Sequence, residues 1–513
     1  MNVPEWASRI VEQVSHEPPS VEVPDRFAPL LSEGDQEVPT FQLHIDGQWR
    51  PAGTGQTFDV TSPIDGSVIA RAQKGETGDV EAAIASAAAA RTLFAHMPAS
   101  ERLGICERAG DILAESASAF VSVIVVNLGK TPEQAESEVK ATRMRLGLVR
   151  EEARRIYGEY LPGDWIPDTV GKSGIVLREP VGTVAAVGPF NYPLFLSASK
   201  IIPALAAGNT VVAKAPSDDP LPLLLFGRVF EEAGLPPGAL NVVTGSGGEI
   251  GDLLASHPDI SMISFTGSTG AGHSMAAAAG PKPLHLELGG NAAAIILADA
   301  DLDIAVERSV LGAFNNAGQR CDAVSRVLVE TAVYDAYVEA AVVEAEKWPV
   351  GDPRAEGVKV GPMVSERSAA RVNELVDDAV GKGAKLLAGG EAYAAYHQPT
   401  VLVDVPLDAD IVWEETFGPV LAVVRVDDMD AAVEVANRSR YGLDSAVFTR
   451  DLEKAWYVAR ALQVGQVHVN DAPKHGVGHF PFGGRKPDSG IGREGLGYSI
   501  DECTVLKTVV IPA

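Results

Sequence analysis

Three side chains in this sequence are suited to chemistry at a carbonyl group: a cysteine, a glutamate and an asparagine. Cys321 lies among small and polar residues in NNAGQRCDAVSR, next to Arg320, without an apolar surround. A thiolate there could attack an aldehyde to give a hemithioacetal and then a thioester that water cleaves. Such a thiol needs a neighbouring base or surroundings that lower its pKa. Cys106, on the apolar face of a predicted amphipathic helix, fits an inert core cysteine better.

Glu287 and Asn191 are the candidate base and oxyanion donor. Glu287 ends an apolar stretch in PLHLELGGN, and burial would raise its pKa towards neutrality, as a general base requires. A strand-edge glutamate paired with a lysine is the alternative. Asn191 follows an apolar strand in PFNYP, and its amide could donate to an oxyanion together with the Cys321 backbone N–H. A turn-forming asparagine between two prolines is the alternative there.

Two glycine-rich stretches favour a dinucleotide site. FTGSTG, with Gly267 and Ser268, follows a predicted strand and opens a helix, where small residues allow a pyrophosphate to approach the backbone. TGSGGEIG, with Gly247, is similar but weak alone, and the G-x-G-x-x-G pattern is absent here. Pro189 and Phe190, which precede Asn191, are assigned to the same cofactor site.

Further candidates for the cofactor site come from two other stretches. Lys214 in VVAKAPSDDP follows a strand, where its ammonium could hold ribose hydroxyls or a 2′-phosphate. Ser217 lies three positions on, and a serine tolerates a 2′-phosphate that a carboxylate would repel. We therefore expect NADP to be accepted alongside NAD, or preferred. In EETFGPV, Glu415 is a candidate for bonding the nicotinamide ribose and Phe417 for packing on the ring, although each could be an ordinary loop residue.

The elements that must position these residues alternate between helix and strand. Residues 79–160 carry apolar side chains at helical spacing. From residue 175 onward, short apolar runs that end in Gly, Pro or Ser alternate with helical stretches, and a second such series runs from 292 to 470. This rhythm predicts an α/β fold with doubly wound parallel sheets and a site between two units. Residues 1–40, rich in Pro, Glu and Ser, are expected to form an extension on the surface.

Composition narrows the class of protein. The 513 residues include 69 acidic and 42 basic side chains, for a net charge of −27, which disfavours nucleic acid as a partner. A moderately acidic enzyme and adaptation to high salt both fit this balance. Three widely spaced cysteines suit a reducing compartment, and their spacing predicts no metal site. Without a predicted membrane span or secretory signal, a cytoplasmic location is expected.

Taken in order, the motifs resemble those of the aldehyde dehydrogenase superfamily. They are PFNYP, VVAKAPS, FTGSTG, LELGG, GQRC, EETFGPV and PFGGRKPDSG, and the resemblance runs from about residue 41 onward. It implies a Rossmann-like cofactor domain, an α/β catalytic domain and a β-arm for oligomerisation. It also implies that Cys321 is the nucleophile, Glu287 the base and Asn191 the oxyanion donor, with Lys214 and Glu415 holding the cofactor.

The resemblance also implies domain boundaries, with residues 1–40 as the N-terminal extension. The cofactor domain would comprise 41–156 and 179–288, the catalytic domain 289–488, and the bridging arm 157–178 and 489–513. The arm would build a homodimer or homotetramer.

A narrower resemblance concerns the substrate. AGQRCDAVSR, YLPGDWIPDT and NDAPKHGVGHFPFGGRK look like the non-phosphorylating glyceraldehyde-3-phosphate dehydrogenases, especially the archaeal type. This implies oxidation of that aldehyde directly to 3-phosphoglycerate, with Arg320, Lys474 and His475 contacting the substrate. Glyceraldehyde, lactaldehyde and a semialdehyde such as succinic semialdehyde stay open, as do a CoA-acylating relative and an inactive structural homologue, although the presence of Glu287 favours hydrolysis.

The sequence departs from the bacterial members of that group at two positions. Ala141 and His475 stand where phosphate-binding arginines are expected. Lys140, Arg143 and Arg145 could compensate for Ala141, because helical neighbours three and four residues apart share a face.

Overall fold

Two large β-sheets, one of eight strands and one of seven, organise the protein in this computed structural model, which describes residues 3–33, 38–154 and 156–512. Helices cover the faces of both sheets, and a three-stranded antiparallel sheet projects as an arm. The predicted α/β architecture with two units is thereby confirmed.

The eight-stranded sheet has five parallel strands at its centre and antiparallel strands at both edges. In order across the sheet the strands are Gly490–Ile491, Leu284–Glu287, Met262–Thr266, Thr183–Val187, Thr210–Lys214, Leu240–Val243, Leu43–Ile45 and Gln48–Arg50. The central strands are almost wholly buried runs of Val, Ile, Ala and Leu, as expected for parallel strands covered on both faces. The chain order reverses at Thr183–Val187, and a ligand crevice forms beside such a switch point.

Nine helices among the described residues surround this sheet. They are Thr77–His96, Ala99–Glu115, Ala117–Leu128, Pro132–Ala153, Phe195–Ala207, Leu221–Glu232, Gly247–Ser256, Thr269–Ala279 and Leu496–Glu502. Phe195–Ala207 is buried along its whole length and ends at Gly208, whose φ of 97° is left-handed. The predicted helical region at 79–160 therefore comprises four helices that end at Ala153.

The seven-stranded sheet carries the second α/β series. Its strands in order are Lys385–Ala388, Thr400–Val403, Val420–Val426, Val324–Glu330, Ala292–Ile296, Asp444–Phe448 and Gln466–Val469. All neighbouring strands are parallel except the first pair. The helices beside it are Leu302–Phe314, Tyr334–Ala345, Glu366–Gly381, Met429–Asn437 and Leu452–Ala461.

The arm pairs the last strand of the chain with an internal hairpin. Thr504–Pro512 runs antiparallel to Lys172–Pro180, which in turn pairs with Glu159–Pro162. The arm sheet thus includes residues 179 and 180 and begins its C-terminal part at Thr504. Residues 490–502, which the sequence assigned to the arm, instead pair with Leu284–Glu287 and form the Leu496–Glu502 helix beside Phe195–Ala207. The domain boundaries themselves stay a prediction.

The N-terminal segment has more structure than its composition indicates. Glu5–His16 is a helix whose Ile10 and Val14 pack with Ile64 and Tyr396. Farther along, Phe27 in the short Asp25–Leu30 helix contacts Phe120 edge-on, with ring centroids 5.9 Å apart. The composition of residues 1–40 concealed this amphipathic helix, whose buried side chains Ala7, Ile10 and Val14 recur at helical spacing.

Long apolar helices and clusters of metal-binding side chains would mark other kinds of site. No single helix there is long and apolar enough to cross a membrane, and the pair Ala99–Glu115 and Ala117–Leu128 passes that test only together, across a 70° bend. The same residues contain no group of three or more His, Cys, Asp or Glu side chains that could hold a metal ion.

Candidate active site

A cavity of about 830 Å³ opens at the carboxyl ends of the central strands, where the chain order reverses. Its wall contains eleven of the residues predicted from the sequence: Pro189, Phe190, Asn191, Lys214, Ser217, Gly247, Gly267, Ser268, Cys321, Glu415 and Phe417. These residues come from both large sheets, so the cavity lies between them. Its volume is in the range of sites for small organic ligands.

The glycine-rich wall of the cavity suits a pyrophosphate. The helix Gly247–Ser256 begins there, and Ser246 provides no side-chain cap for its first N–H groups. The helix Thr269–Ala279 begins at the opposite wall, where the Ser268 hydroxyl accepts from the Ala271 N–H at 3.4 Å. Free N–H groups and the helix dipole together favour an anion at such a position.

Charges near the ribose end of the cavity come from Lys214 and Asp218. Lys214 is the last residue of its strand, and burial lowers the pKa of its ammonium to about 8, although Asp218 raises it. The Ser217 hydroxyl donates to the Gly245 carbonyl at 3.1 Å. Asp218 lines the same cavity, so the prediction from Ser217 did not account for a neighbouring carboxylate.

Glu415 and Phe417 lie in the loop before Val420–Val426. A carboxylate oxygen of Glu415 accepts from the Gly290 N–H at 3.0 Å, and burial raises the pKa of this carboxyl to about 7. Phe417 has a left-handed φ of 47° and meets Phe190 edge-on, with ring centroids 5.7 Å apart. Together they form an aromatic corner beside Cys321.

The loop that carries Cys321 is tightly constrained. It follows the turn Asn315–Gly318, in which Asn316, Ala317 and Gly318 have positive φ angles of 55°, 53° and 69°. Gly318 is required there, since an added Cβ would lie 2.1 Å from the Gly418 carbonyl oxygen. Gly290 is equally confined, because its Cβ would come within 1.8 Å of the Cys321 carbonyl oxygen.

Asn191 is held beside this loop by its side-chain amide. Its NH2 group donates to the Gln319 carbonyl at 2.9 Å, and its amide oxygen accepts from the Tyr192 N–H at 3.1 Å. Asn316 donates to the Asn191 carbonyl at 3.3 Å. One amide hydrogen of Asn191 therefore remains for a ligand in the cavity.

The electrostatic surroundings oppose a thiolate at Cys321 before any ligand is bound. Cys321 is only partly exposed, and burial raises the pKa of its thiol well above the usual range. Asp322 and Asp444 raise it further. Deprotonation of this thiol therefore requires a base or a bound positive charge.

Glu287 is a deeply buried carboxyl. It is 3% exposed, and neither carboxyl oxygen has a hydrogen-bond partner among the described residues. Burial raises its pKa well above the usual range, and the negative charge of Glu494 adds to the effect. His285 Nε2 lies 3.7 Å from one of its oxygens. Glu287 does not line the cavity itself, but its charge is among the causes of the raised pKa of Cys321.

A buried cluster of charged side chains next to Glu287 was not predicted from the sequence. Glu494 lies 3.2 Å from Arg145, 3.4 Å from Lys200 and 3.5 Å from His475 Nε2. Burial alone would raise the pKa of Glu494, but Lys200, His475 and Arg145 hold it well below its usual range. A lysine within the otherwise apolar stretch FLSASKIIPALAA was the one available signal.

The three predicted substrate residues do not line this cavity. The Arg320 guanidinium donates to Asp322 at 2.8 Å and to the Pro473 carbonyl at 2.9 Å. Lys474 is exposed and pairs with Asp471. The His475 ring lies between Phe195 and Phe482, and its backbone N–H donates to Asp322 at 2.9 Å.

The proposed compensation for Ala141 is also incomplete in the structure. Lys140 and Arg143 are exposed, whereas Arg145 is fully buried and pairs with Glu494. Arg145 thus lies on the opposite side of its helix from Lys140 and Arg143. It is five residues from the first and two from the second, and residues at those spacings do not share a helix face.

The other two cysteines are buried and unpaired. Burial raises the pKa of Cys106 to about 12 and raises that of Cys503 as well. Neither lines the cavity, which agrees with the assignment of Cys106 to the core.

A cysteine thiol and an amide donor line a crevice that suits a dinucleotide, at the switch point of a doubly wound sheet. This combination defines a cysteine-containing oxidoreductase of the pyridine-nucleotide class. The sequence profile described as "Aldehyde dehydrogenase family" matches residues 49–509. The chain belongs to the aldehyde dehydrogenase family, and the resemblance seen in its motifs is confirmed. It is an NAD(P)-dependent dehydrogenase that oxidises aldehydes.

Several named proteins are similar to it over nearly their full length. The 3-sulfolactaldehyde dehydrogenase of Priestia aryabhattai is 37% identical over 476 residues, 93% of this chain and 98% of the relative. The NADP-dependent glyceraldehyde-3-phosphate dehydrogenase of Streptococcus equinus is 37% identical over 92% of this chain and 98% of its own. A solved structure, the NADP-dependent glyceraldehyde-3-phosphate dehydrogenase of Bacillus halodurans C-125 with NADP, matches with a TM-score of 0.90 at 37% identity, covering 92% and 99%.

We expect Gly290→Ala to lower kcat by at least about 100-fold, because the added methyl group must displace the Cys321 carbonyl and an ångström-scale misplacement costs about that much. NADP binding should persist, as measured by quenching of intrinsic fluorescence. Gly270→Ala is the matched control, since a Cβ there meets nothing within 4 Å. A kcat for Gly290→Ala within twofold of the parent would contradict the predicted constraint.

Proposed function

We propose that Cys321, Asn191 and Glu287 together oxidise an aldehyde to a carboxylate by way of a covalent thioester on Cys321. The observation that carries this proposal is that Cys321 and Asn191 lie in one cavity with the cradle of glycines and helix N-termini that fits a dinucleotide. Bound NAD(P) would accept a hydride in this site. Lys214 and Glu415 would hold its ribose groups, and the first turn of Gly247–Ser256 its pyrophosphate.

The chain's own residues account for the remaining steps. Glu287 accepts the proton of the Cys321 thiol and releases it to solvent, because the surroundings of this thiol alone oppose its ionisation. The thiolate attacks the aldehyde carbon, and the free amide hydrogen of Asn191 with the Cys321 backbone N–H bonds the resulting oxyanion. Loss of hydride from that carbon leaves a thioester. A water molecule deprotonated by Glu287 then attacks the thioester carbon, the C–S bond breaks, and the carboxylic acid leaves while the thiolate is regenerated.

The contrast between Glu287 and Glu494 supports the choice of base. Two carboxyls in neighbouring environments have pKa values shifted in opposite directions, and this separation is typical of acid–base pairs. Glu494 stays ionised between Lys200 and Arg145, whereas burial raises the pKa of Glu287 well above its usual range, so that this carboxyl holds a proton more readily. A base at this position favours release by water over transfer to CoA.

For the substrate we propose a small anionic aldehyde, with glyceraldehyde-3-phosphate as the first candidate. Similarity to relatives named for a phosphorylated and a sulfonated aldehyde supports this choice. The second candidate is an unphosphorylated aldehyde such as glyceraldehyde, lactaldehyde or succinic semialdehyde. The engagement of Arg320 by Asp322 and of Lys474 by Asp471 favours that alternative, since both cations are already paired.

For the cofactor we propose that NADP is used in preference to NAD. Ser217 leaves room for a 2′-phosphate beside the Lys214 ammonium, and the solved relative from Bacillus halodurans holds NADP. Asp218 opposes this preference, because its carboxylate lines the same part of the cavity.

A steady-state panel tests both preferences together. Glyceraldehyde-3-phosphate should give a kcat/KM at least about tenfold above those of glyceraldehyde, lactaldehyde and succinic semialdehyde, because an extra ionic contact is worth about one factor of ten or more. NADP should give a higher kcat/KM than NAD. An unphosphorylated aldehyde as the best substrate would overturn the first candidate in favour of the second, and equal values for the two cofactors would overturn the NADP preference.

Glu287→Gln should lower kcat by roughly 100-fold to 10,000-fold, the usual contribution of a general base. In the parent, activity should rise with pH through the raised pKa of Glu287, well above the ordinary 4.5, because only the ionised carboxylate accepts a proton. The variant should lack that acid limb. Glu346→Gln, on an exposed helix end, is the control, and Cys321→Ala gives the inactive baseline. An unchanged pH profile in Glu287→Gln would assign the base elsewhere.

We also propose that the arm builds a homodimer or homotetramer. The edge strand Thr504–Pro512 exposes Leu506 and Val510 to more than 60% each, and an apolar edge with unpaired backbone groups invites another chain. A second copy is the partner that the family resemblance favours. We expect Leu506→Lys combined with Val510→Lys to lower the mass measured by sedimentation, and a parent that already sediments as a monomer would contradict this proposal.

A further inference from the structure

A second cavity, of about 820 Å³, lies where the arm joins the eight-stranded sheet, and it shares no residue with the cavity around Cys321. Five cationic side chains line it, namely Arg91, Arg102, Arg154, Arg178 and Lys507, against the single carboxylate of Glu179. The chain as a whole carries a net charge of −27. A positively charged cleft in a negatively charged protein indicates a specific anionic ligand, because such a cleft attracts solutes of the opposite charge.

Three of these cations have no carboxylate partner in the part of the chain that the structure describes. The Arg91 and Arg154 side chains make no hydrogen bond or ion pair with any described residue. Arg102 is 9% exposed and donates to two backbone carbonyls, those of Met97 and Ala206. Burial lowers its pKa, as expected for a guanidinium that is desolvated without a counter-ion.

The other two cations are only partly neutralised. Lys507 lies 2.9 Å from Glu179 across the arm, with both side chains about half exposed. Arg178 lies 3.7 Å from Asp501, which is outside the cavity wall, and donates to the Thr504 hydroxyl at 3.1 Å. Exposed pairs of this kind contribute little and leave their cations available to a better acceptor.

Two glycines of the wall lie beside arginine side chains. Gly182 has a φ of 132°, and a Cβ there would lie 3.4 Å from Arg91 Cδ and 2.4 Å from the Ser261 hydroxyl. A Cβ at Gly208, where φ is 97°, would lie 3.2 Å from the carbon of the Arg102 guanidinium. Arg102 is therefore packed into the wall, whereas Arg91 is partly exposed and Arg154 is exposed at its rim.

We propose that this cavity binds a small phosphorylated molecule that carries at least two negative charges. Guanidinium groups bind phosphate oxygens in pairs, and four arginines in one concave wall suit a phosphate ester or a diphosphate better than a monovalent carboxylate. The volume admits a ligand up to the size of a mononucleotide. Extended nucleic acid is disfavoured, because the chain as a whole carries a net charge of −27.

The position of the cavity connects its ligand to three parts of the molecule. Arg178 lies in the arm strand Lys172–Pro180, and Gly182 directly precedes the strand Thr183–Val187, which leads to Asn191. Arg154 caps the end of the helix Pro132–Ala153, which contains Arg145 of the buried charge cluster. A bound anion would hold the arm, this helix and the Asn191 strand together.

The test is calorimetric titration of the intact protein with inorganic pyrophosphate at saturating NADP, which keeps the first cavity filled. We expect one binding site per chain. Arg91→Gln combined with Arg154→Gln should weaken this binding at least about tenfold, since two unpaired cations are removed. The variant should fold, because Arg154 is exposed, Arg91 is partly exposed, and neither side chain has a partner among the described residues. Arg367→Gln, another exposed arginine without a partner among the described residues, is the control and should bind like the parent.

Two results would overturn the proposal. One is pyrophosphate binding by the double variant with the affinity of the parent, and the other is no binding to the parent at low ionic strength. Sedimentation of the same samples identifies the cause of the second result. If the double variant then has a lower mass than the parent, acidic residues of a second copy fill the cavity instead of a phosphorylated ligand.

Discussion

The short crossing between the two large sheets, residues 288–291, constrains everything around the candidate nucleophile. It begins where Leu284–Glu287 ends and finishes where Ala292–Ile296 starts. Within it, Gly290 touches the Cys321 carbonyl so closely that no side chain fits, while its N–H donates to Glu415. Because this crossing is only four residues long, Glu287, Cys321 and Glu415 are fixed relative to one another by the close packing at Gly290 and by its hydrogen bond to Glu415.

Buried charge is the second organising feature of the site. Glu494 is held ionised by Lys200, Arg145 and His475, and its negative charge then makes ionisation of Glu287 harder. The same low-exposure environment raises the pKa of Cys321. Removing one member of such a cluster leaves the others uncompensated, so the cluster behaves as a unit rather than as separate pairs.

Charged residues at the protein surface are distributed differently from those in the candidate active site. The acidic balance of the chain coexists with a basic cavity at the root of the arm, and the edge strand of that arm is apolar. Arg320 illustrates the same point at short range. Its position next to a cysteine predicts that it binds an anionic substrate. In the structure its guanidinium donates instead to Asp322, two residues later. The sequence shows both residues and not their pairing, because rotamers and loop geometry decide it.

The sequence by itself determined the α/β alternation, the family, and the residue types at the cavity, because strand ends, glycines and Cys321 fall in a fixed order along the chain. Only the tertiary structure brought Lys200, Glu494 and Arg145 together, since these positions lie up to 349 residues apart and have no common local pattern. It also placed Arg145 on the buried face of its helix and Lys140 and Arg143 on the exposed one. The helix at Glu5–His16 and the basic cavity likewise depend on packing between distant segments, which spacing along the chain does not encode.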